Sequence, residues 1–159
     1  MVRKDQKKEI PEWVLSKIRH FCAYEERCVK DVKTKLQSFH LQVDVYDAVI
    51  NQLIKDDYLN EERYAKVFAG GKFRINHWGR NKIYAALQEK GLPELFILEG
   101  LNEIDEQEYM SVLKGLLSKK SREVAEPDFL VKNKKLANFA ISRGFEPNLV
   151  REVLNLKED

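Results

Sequence analysis

The chain has 159 residues, of which 43% are hydrophobic and 34% are charged, and its formal net charge is +2. This composition suits helices with one apolar stripe and a wide solvated surface, and so small a net charge does not by itself require a polyanionic partner. No apolar segment approaches the roughly 20 residues that a membrane-spanning helix needs, and no secretory leader follows Met1. We therefore expect a cytoplasmic protein with reduced thiols and no membrane contact.

The N-terminal part of the chain is expected to form one three-helix unit, residues 10–57, after a flexible N-terminus of polar residues 1–9. Pro11 and Glu12 suit the first turn of a helix. Apolar residues then recur at helical spacing through the unit. The expected helices run from Pro11 to about Tyr24 with Trp13, Val14, Ile18 and Phe21, then through Val29, Val32 and Leu36, and finally from about Asp44 to Lys55.

A second unit is expected over residues 58–104. Asn60 can cap a helix, and the acidic pair that follows it suits the positive end of that helix. Residues 76–79 interrupt the helical pattern, one helix then runs to Lys90, and another runs from Pro93 to about Glu103. The apolar face of the first helix is expected to consist of Tyr64, Val67, Phe68, Gly71 and Ile75.

The third unit is expected over residues 105–159. Asp105 and Glu108 resemble a capping box at the start of its first helix. The polar segment 118–126 is the best candidate in the chain for a longer loop or a frayed helix end. The expected apolar face of the first helix consists of Val112, Leu113, Leu116 and Leu117, and the last two helices are expected over about Asp128–Ser142 and Pro147–Leu156.

The three units share one frame. Gly91 and Gly144 each fit the left-handed position just past a helix end, and His40 stands at the same place in the first unit. Buried-type residues also recur about fifty residues apart, as at Val32, Ile83 and Leu136. Because β-strand patterns are weak throughout, we predict an all-α fold of three tandem three-helix repeats that resemble helix-turn-helix units.

No pattern of catalytic or metal-binding residues is visible. Cys22 and Cys28 lack the second pair of ligands that a structural zinc site requires, and we interpret them as buried structural cysteines. The histidines are scattered, and Glu61 and Glu62 point in different directions on a helix. Gly70 and its neighbour follow no strand and precede no Gly-Lys-Ser/Thr, so they do not form a phosphate loop. We expect no catalytic residue, no cofactor and no metal.

The middle unit separates its charges along the chain. Residues 63–90 carry seven basic residues and a single acid, whereas residues 91–113 carry six acids and no Lys or Arg. The spacing of positions 63, 66, 70 and 74 aligns them on one side of a helix, with a glycine at position 70 where a partner backbone could approach. The residues predicted to contact a partner are Arg63, Lys66, Lys72, Arg74, Arg80 and Lys82.

Three readings of these basic residues stay open. They can form an ordinary solvated face, contact an acidic protein groove, or bind a phosphate backbone or single-stranded bases with the help of Phe73 and Trp78. Trp78 itself is better explained as an anchor at the helix junction than as a stacking platform.

Two segments resemble the signatures of one family. Residues 58–65, Tyr-Leu-Asn-Glu-Glu-Arg-Tyr-Ala, resemble the tyrosine/leucine–acid–arginine–aromatic–alanine signature of RecX proteins, and residues 78–91 resemble the second RecX signature, a glycine followed by a basic helix that ends in Lys-Gly. The resemblance spans about residues 13–156. The chain departs from the family pattern at Asn60, where Asp is common, and at Gly70 and Gly71, where charged residues are usual.

The resemblance implies a non-enzymatic bacterial regulator of the RecA recombinase, active in homologous recombination, DNA repair and the SOS response. Family members have three tandem three-helix units in an elongated, curved shape. They lie in the deep groove of the RecA–DNA filament and curb its ATPase, strand-exchange and co-protease activities, and some bind DNA directly. The resemblance thus predicts the RecA filament as partner and single- or double-stranded DNA as a further ligand. Separately, we expect a monomer. The alternatives are a stand-alone nucleic-acid-binding helical module and an inert helical adaptor.

Overall fold

The structure is a computed structural model that describes residues 9–155, so that the expected flexible N-terminus lies outside the described residues except for the exposed Glu9. All regular secondary structure within this range is α-helical, and the predicted all-α fold class is confirmed. The helices are α1 (Glu12–Tyr24), α2 (Val29–Gln37), α3 (Val43–Lys55), α4 (Glu61–Arg74), α5 (Arg80–Glu89), α6 (Glu94–Asn102), α7 (Glu106–Glu123), α8 (Phe129–Ser142) and α9 (Pro147–Val153).

The chain divides into two compact units between Tyr64 and Ala65. The first unit therefore holds α1 to α3 and the start of α4, and the second holds the rest of α4 and α5 to α9. The repeat boundaries predicted above, residues 10–57, 58–104 and 105–159, stay a prediction.

The first unit has a core that follows the predicted helical spacing. Its buried residues recur at helical spacing on α1, α2 and α3, and Leu59 after α3 joins them. Trp13 is the exception, since it is 48% exposed and packs edge-on against Phe39. The core consists of Val14, Ile18, Cys22, Val32, Leu36, Tyr46, Val49, Ile50, Leu53 and Leu59.

The second unit buries a row of aromatic side chains from different parts of the chain. Tyr109 on α7 stacks at an angle between Phe73 of α4 and Phe145 before α9, with ring centroids 5.6 and 5.1 Å apart. All three rings are at most 1% exposed. Residues from the second and third predicted repeats thus pack against each other in this row. Other buried residues of the unit are Ile83, Leu87, Ile97, Leu113, Leu136, Ala140 and Val150.

The predicted apolar face of α4 is partly wrong. Val67 and Ile75 are 56% and 79% exposed, whereas Ala65, Ala69 and Phe73 are buried. These three lie four residues apart and form one ridge. The two alanines allow α6 to approach closely, because a Cβ on Gly100 would lie 2.8 Å from the carbonyl oxygen of Ala65. Because α6 lies so close to α4, the face of α4 that is buried carries the small alanines, and the larger Val67 and Ile75 stay exposed.

Two further predictions about local structure have definite outcomes. The expected loop at 118–126 is wrong over most of its length, because α7 continues to Glu123 and only the residues after it leave the helix. Lys, Arg and Glu, which make up most of residues 118–123, are good helix formers, so polarity alone did not mark a loop. The predicted left-handed positions are confirmed, with φ of 55° at His40, 79° at Gly91 and 98° at Gly144.

Candidate functional site

The helix that carries the predicted basic stripe begins at a side-chain cap. The Oδ1 of Asn60 accepts a hydrogen bond from the backbone N–H of Arg63 at 3.0 Å, as predicted. Glu61, in the first turn of α4, also contacts α2: its carboxylate accepts a hydrogen bond at 3.2 Å from the N–H of Val29 at the start of that helix. Burial raises the pKa of Glu61. The start of α4 is therefore capped by Asn60 and joined to the start of α2 by Glu61.

Arg63 is held by carboxylates of the first unit. Its Nε donates to Glu26 at 2.6 Å, and its Nη1 and Nη2 donate to the carboxylate and the carbonyl oxygen of Asp57 at 3.1 and 3.2 Å. The hydrogen bond to Glu26 is the main cause of the raised pKa of Arg63. Its side chain is 34% exposed. Arg63 thus joins α4 to the turns that precede α2 and follow α3.

The remaining residues of the predicted stripe lie in the second unit. Lys66 forms an ion pair with Glu103 at 3.7 Å. Arg74 is exposed and folds back over Gly70, where an added Cβ would lie 3.1 Å from its Nη1. The gap that position 70 was expected to offer to a partner backbone is therefore filled by a side chain of the same helix.

Lys72 and Lys82 meet at one aromatic ring. Their Nζ atoms lie 4.8 and 4.5 Å from the ring centroid of Trp78, which is half-buried at the junction of α4 and α5. Phe68 contacts the same ring edge-on, at a centroid distance of 6.5 Å. Within residues 9–155 neither lysine takes part in an ion pair. We call Lys72, Trp78 and Lys82 the Trp78 cluster; it holds two cations beside a π system, an arrangement worth about 0.5–2 kcal/mol per cation in proteins.

Arg80 lies instead in a polar junction inside the second unit. Its Nη1 donates to Glu146 at 2.9 Å and its Nη2 contacts Glu106, while its guanidinium carbon lies 3.9 Å from the ring centroid of Tyr109. Burial lowers the pKa of Arg80, but the hydrogen bond and charge of Glu146 outweigh it, and the net shift is upward. Arg80 is thus 22% exposed and joins α5 to α7 and α9.

Tyr109 completes this junction, and sequence reasoning missed it. Its hydroxyl accepts a hydrogen bond from the backbone N–H of Arg80 at 3.0 Å and donates to Glu146. Burial and that hydrogen bond raise the pKa of Tyr109. The partners are 29 and 37 residues apart in sequence. No local spacing rule connects residues at such separations, so the junction could be found only from the fold.

The six predicted contact residues therefore fall into two groups. Arg63, Lys66 and Arg80 are in ion pairs with carboxylates of their own unit, whereas the other three face solvent or an aromatic ring. In the part of the chain that the structure describes, no group of three or more His, Cys, Asp or Glu side chains could hold a metal ion. The thiols of Cys22 and Cys28 are buried, as predicted. None of the helices described has the length and apolar content to cross a membrane.

Comparison with known proteins agrees with this architecture. The family model for the second three-helix domain of RecX matches residues 60–101, which contain α4, α5 and most of α6. The crystal structure of RecX from Lactobacillus salivarius superposes with a TM-score of 0.82 at 20% sequence identity, covering 90% of this chain and 93% of that one. The fold is thus that of an all-α helical-repeat protein.

Relatives over most of the chain carry the name of one regulator. The regulatory protein RecX of Clostridium acetobutylicum is 30% identical over 129 residues, and that of Bacillus cytotoxicus is 26% identical over 140 residues. These matches cover 79% and 87% of this chain and 59% and 52% of the relatives, so the chain spans little more than half the length of the curated relatives it matches. Over most of its length the chain is similar to proteins of the RecX family.

Proposed function

We propose that this protein is a non-enzymatic regulator that binds the RecA recombinase filament and inhibits its ATPase, strand-exchange and co-protease activities in DNA repair and the SOS response. Similarity to the RecX family over most of the chain is the observation that carries the proposal. The relatives are named regulatory proteins, which supports a regulatory role. We further propose that the protein acts in the cytoplasm as a monomer.

The contact surface is proposed to centre on the Trp78 cluster and Arg74. These residues present three cationic groups that no carboxylate of the described chain neutralises by an ion pair, close to the exposed Ile75. Such a surface suits an acidic protein groove or a phosphate backbone. Arg63, Lys66 and Arg80 contribute more weakly, because contact with a partner would require them to share or leave their present carboxylates.

Inhibition follows from several linked contacts on neighbouring recombinase subunits. Each small helical unit provides a modest contact, and linking the units raises the effective concentration of the second and third contacts after the first has formed. A protein held in this way opposes the rearrangement of subunits that accompanies ATP turnover. It also blocks the access of other DNA and of repressor substrates to the groove.

The test uses purified RecA on single-stranded DNA with the full chain added at equal molar amounts. ATP hydrolysis and strand exchange should both fall, and the triple variant K72Q/R74Q/K82Q should restore them towards the uninhibited level. The matched control is K114Q/K119Q/K134Q, which removes the same charge from exposed positions on α7 and α8. Unchanged recombinase activity with the wild-type chain would overturn the proposal, and equal effects of the two triple variants would remove the contact surface from it.

The second candidate function is a stand-alone nucleic-acid-binding module. The two lysines beside Trp78 favour it, since lysine and aromatic side chains together suit a phosphate backbone with a base. A salt titration of DNA binding separates the two functions. Tight binding that weakens steeply with salt, without any effect on the recombinase, supports the module.

A further inference from the structure

The first unit contains a cleft of about 560 Å³ between α1 and the segment around α2. This volume lies within the range of about 300–1,000 Å³ that is usual for small-ligand sites. Of the eight described residues that line the cleft, four are basic, three are aromatic and none is acidic. None of these residues belongs to the surface proposed above. A cleft whose lining carries one sign of charge attracts a ligand of the opposite sign.

Three of the basic side chains lie beside aromatic rings of the cleft. Lys17 lies 5.9 Å from the ring centroid of Phe39, and Lys35 lies 5.6 and 5.8 Å from those of Phe21 and Phe39. Arg27 lies 3.8 Å from the centroid of Phe21. The two phenylalanines thus lie within cation–π distance of all three cations, a contact worth about 0.5–1 kcal/mol at an exposed site.

The cations differ in their availability to a ligand. Arg27 forms an ion pair with Glu25, and its Nε donates to the carbonyl oxygen of Phe21 at 3.0 Å, so it mainly shapes the wall. No carboxylate of the described chain forms an ion pair with Lys17 or Lys35. These two ammonium groups, Lys17 on α1 and Lys35 on α2, supply hydrogen-bond donors for an anion, and His20 of α1 also lines the cleft.

The rim of the cleft carries an exposed aromatic face. Tyr24, the last residue of α1, is 78% exposed, although it lines the cleft. The rings of Phe21 and Phe39 already face cations, which leaves the ring of Tyr24 as the surface on which a planar group can stack. Stacking of a base on an aromatic side chain is sequence-tolerant and contributes substantially to single-strand binding.

We infer that this cleft binds a nucleotide unit, with the phosphate held by Lys17 and Lys35 and the base stacked on Tyr24. Two sources can supply this chemistry, a free nucleotide and a single strand of DNA or RNA. The inference does not depend on the regulation of a recombinase. Its test contains no recombinase, so the two proposals fail separately.

The experiment measures the fluorescence anisotropy of a labelled oligothymidylate of about 12 nucleotides, titrated with the full chain at neutral pH. The double variant K17Q/K35Q should weaken binding by at least about tenfold and reduce the slope of log K against log salt by about 0.7 for each lost phosphate contact. The matched control K33Q/K55Q removes the same charge from exposed residues of the same unit that do not line the cleft. Equal affinities of the two double variants would overturn the inference.

Tyr24 has its own readouts. Because it is exposed, Tyr24→Leu leaves the core intact and should weaken binding about tenfold. Ultraviolet cross-linking with an iodouracil-substituted strand should attach the strand to the peptide that contains Tyr24. Unchanged affinity of Tyr24→Leu, together with no cross-link in that peptide, would overturn the base contact.

Competition identifies the source of the ligand. Displacement of the labelled strand by thymidine triphosphate at concentrations comparable to the unlabelled strand supports a free nucleotide, and displacement by the strand alone supports single-stranded nucleic acid. Displacement by inorganic phosphate as effectively as by the triphosphate would overturn the inference, because the cleft would then be a simple anion site.

Discussion

Gly79 is in direct backbone contact with Gly144: a Cβ placed on Gly79 would lie 2.3 Å from the carbonyl carbon of Gly144. The N–H of Gly79 donates to the carbonyl oxygen of Arg143 at 2.8 Å, and the N–H of Asn81 donates to that of Gly144 at 2.9 Å. The turn before α5 and the turn before α9 are thus joined through main-chain atoms. Only a residue without a side chain fits at position 79.

Gly79→Ala should therefore destabilise the second unit by about 1–3 kcal/mol, the usual cost of forcing extra atoms into a packed interior. The measurement is urea denaturation followed by circular dichroism. Gly115→Ala on α7 is the matched control, because a Cβ there meets no atom within 4 Å. It should stabilise the protein by about 0.5–1 kcal/mol through helix propensity. A Gly79→Ala protein as stable as the wild type would show that the two turns separate easily.

The two glutamates that contact Arg80 should contribute unequally to stability. The side chain of Glu146 is 22% exposed and also accepts a hydrogen bond from the Tyr109 hydroxyl, whereas that of Glu106 is 67% exposed. We expect Glu146→Gln to lower the free energy of unfolding by about 1.5–3 kcal/mol and Glu106→Gln by less than about 1 kcal/mol. Equal losses in thermal or urea denaturation would contradict the proposed role of the polar junction.

Asn60 should tolerate replacement by the residue that is common in the family. Because its side chain caps α4 by accepting the N–H of Arg63, Asn60→Asp preserves the acceptor and should change stability by less than about 0.5 kcal/mol. Asn60→Ala removes the acceptor and should cost about 1 kcal/mol. Chemical denaturation of the two variants side by side measures the difference, and a large loss for Asn60→Asp would mean that the negative charge disturbs neighbouring carboxylates.

Stability at alkaline pH should depend on Cys22. Burial raises the pKa of its thiol to about 11, and Arg27 opposes part of that shift. The folded state therefore holds the thiol proton more strongly than the unfolded state, so this contribution to stability is complete below the ordinary thiol pKa of about 8.5 and is lost as pH rises towards 11. Urea midpoints measured from pH 8 to pH 11 should fall less steeply for Cys22→Ala than for the wild type. Parallel curves would show that the Cys22 thiol is not involved.

The helices could be predicted from the sequence because local rules determine them. The cap at Asn60, the left-handed Gly91 and the periodic apolar residues of α1 to α3 are each decided by residues within one or two turns. The burial of α4 was predicted less well. Val67 and Ile75 are apolar, but the approach of Gly100 determined which side of that helix is covered.

The predicted contact residues illustrate a second limit. Charge and spacing mark the basic residues of α4 and α5 as a candidate contact surface, which stays a prediction. They could not show that Arg80 forms an ion pair with Glu146, 66 positions later. The cleft of the first unit was missed for the same reason. Lys17 and Lys35 come from different helices, and only folding places both beside Phe39.

The shared aromatic row has a consequence for recombination between related genes. Phe73 precedes the predicted boundary at residue 104, whereas Tyr109 and Phe145 follow it. In a hybrid protein joined there, the Phe73 ring of one parent would have to pack against the Tyr109 ring of the other. A crossover near the start of α4 leaves both ring contacts within one parental sequence, because each compact unit then comes whole from one parent. Hybrid proteins should therefore fold best when residues 65–155 all come from the same parent.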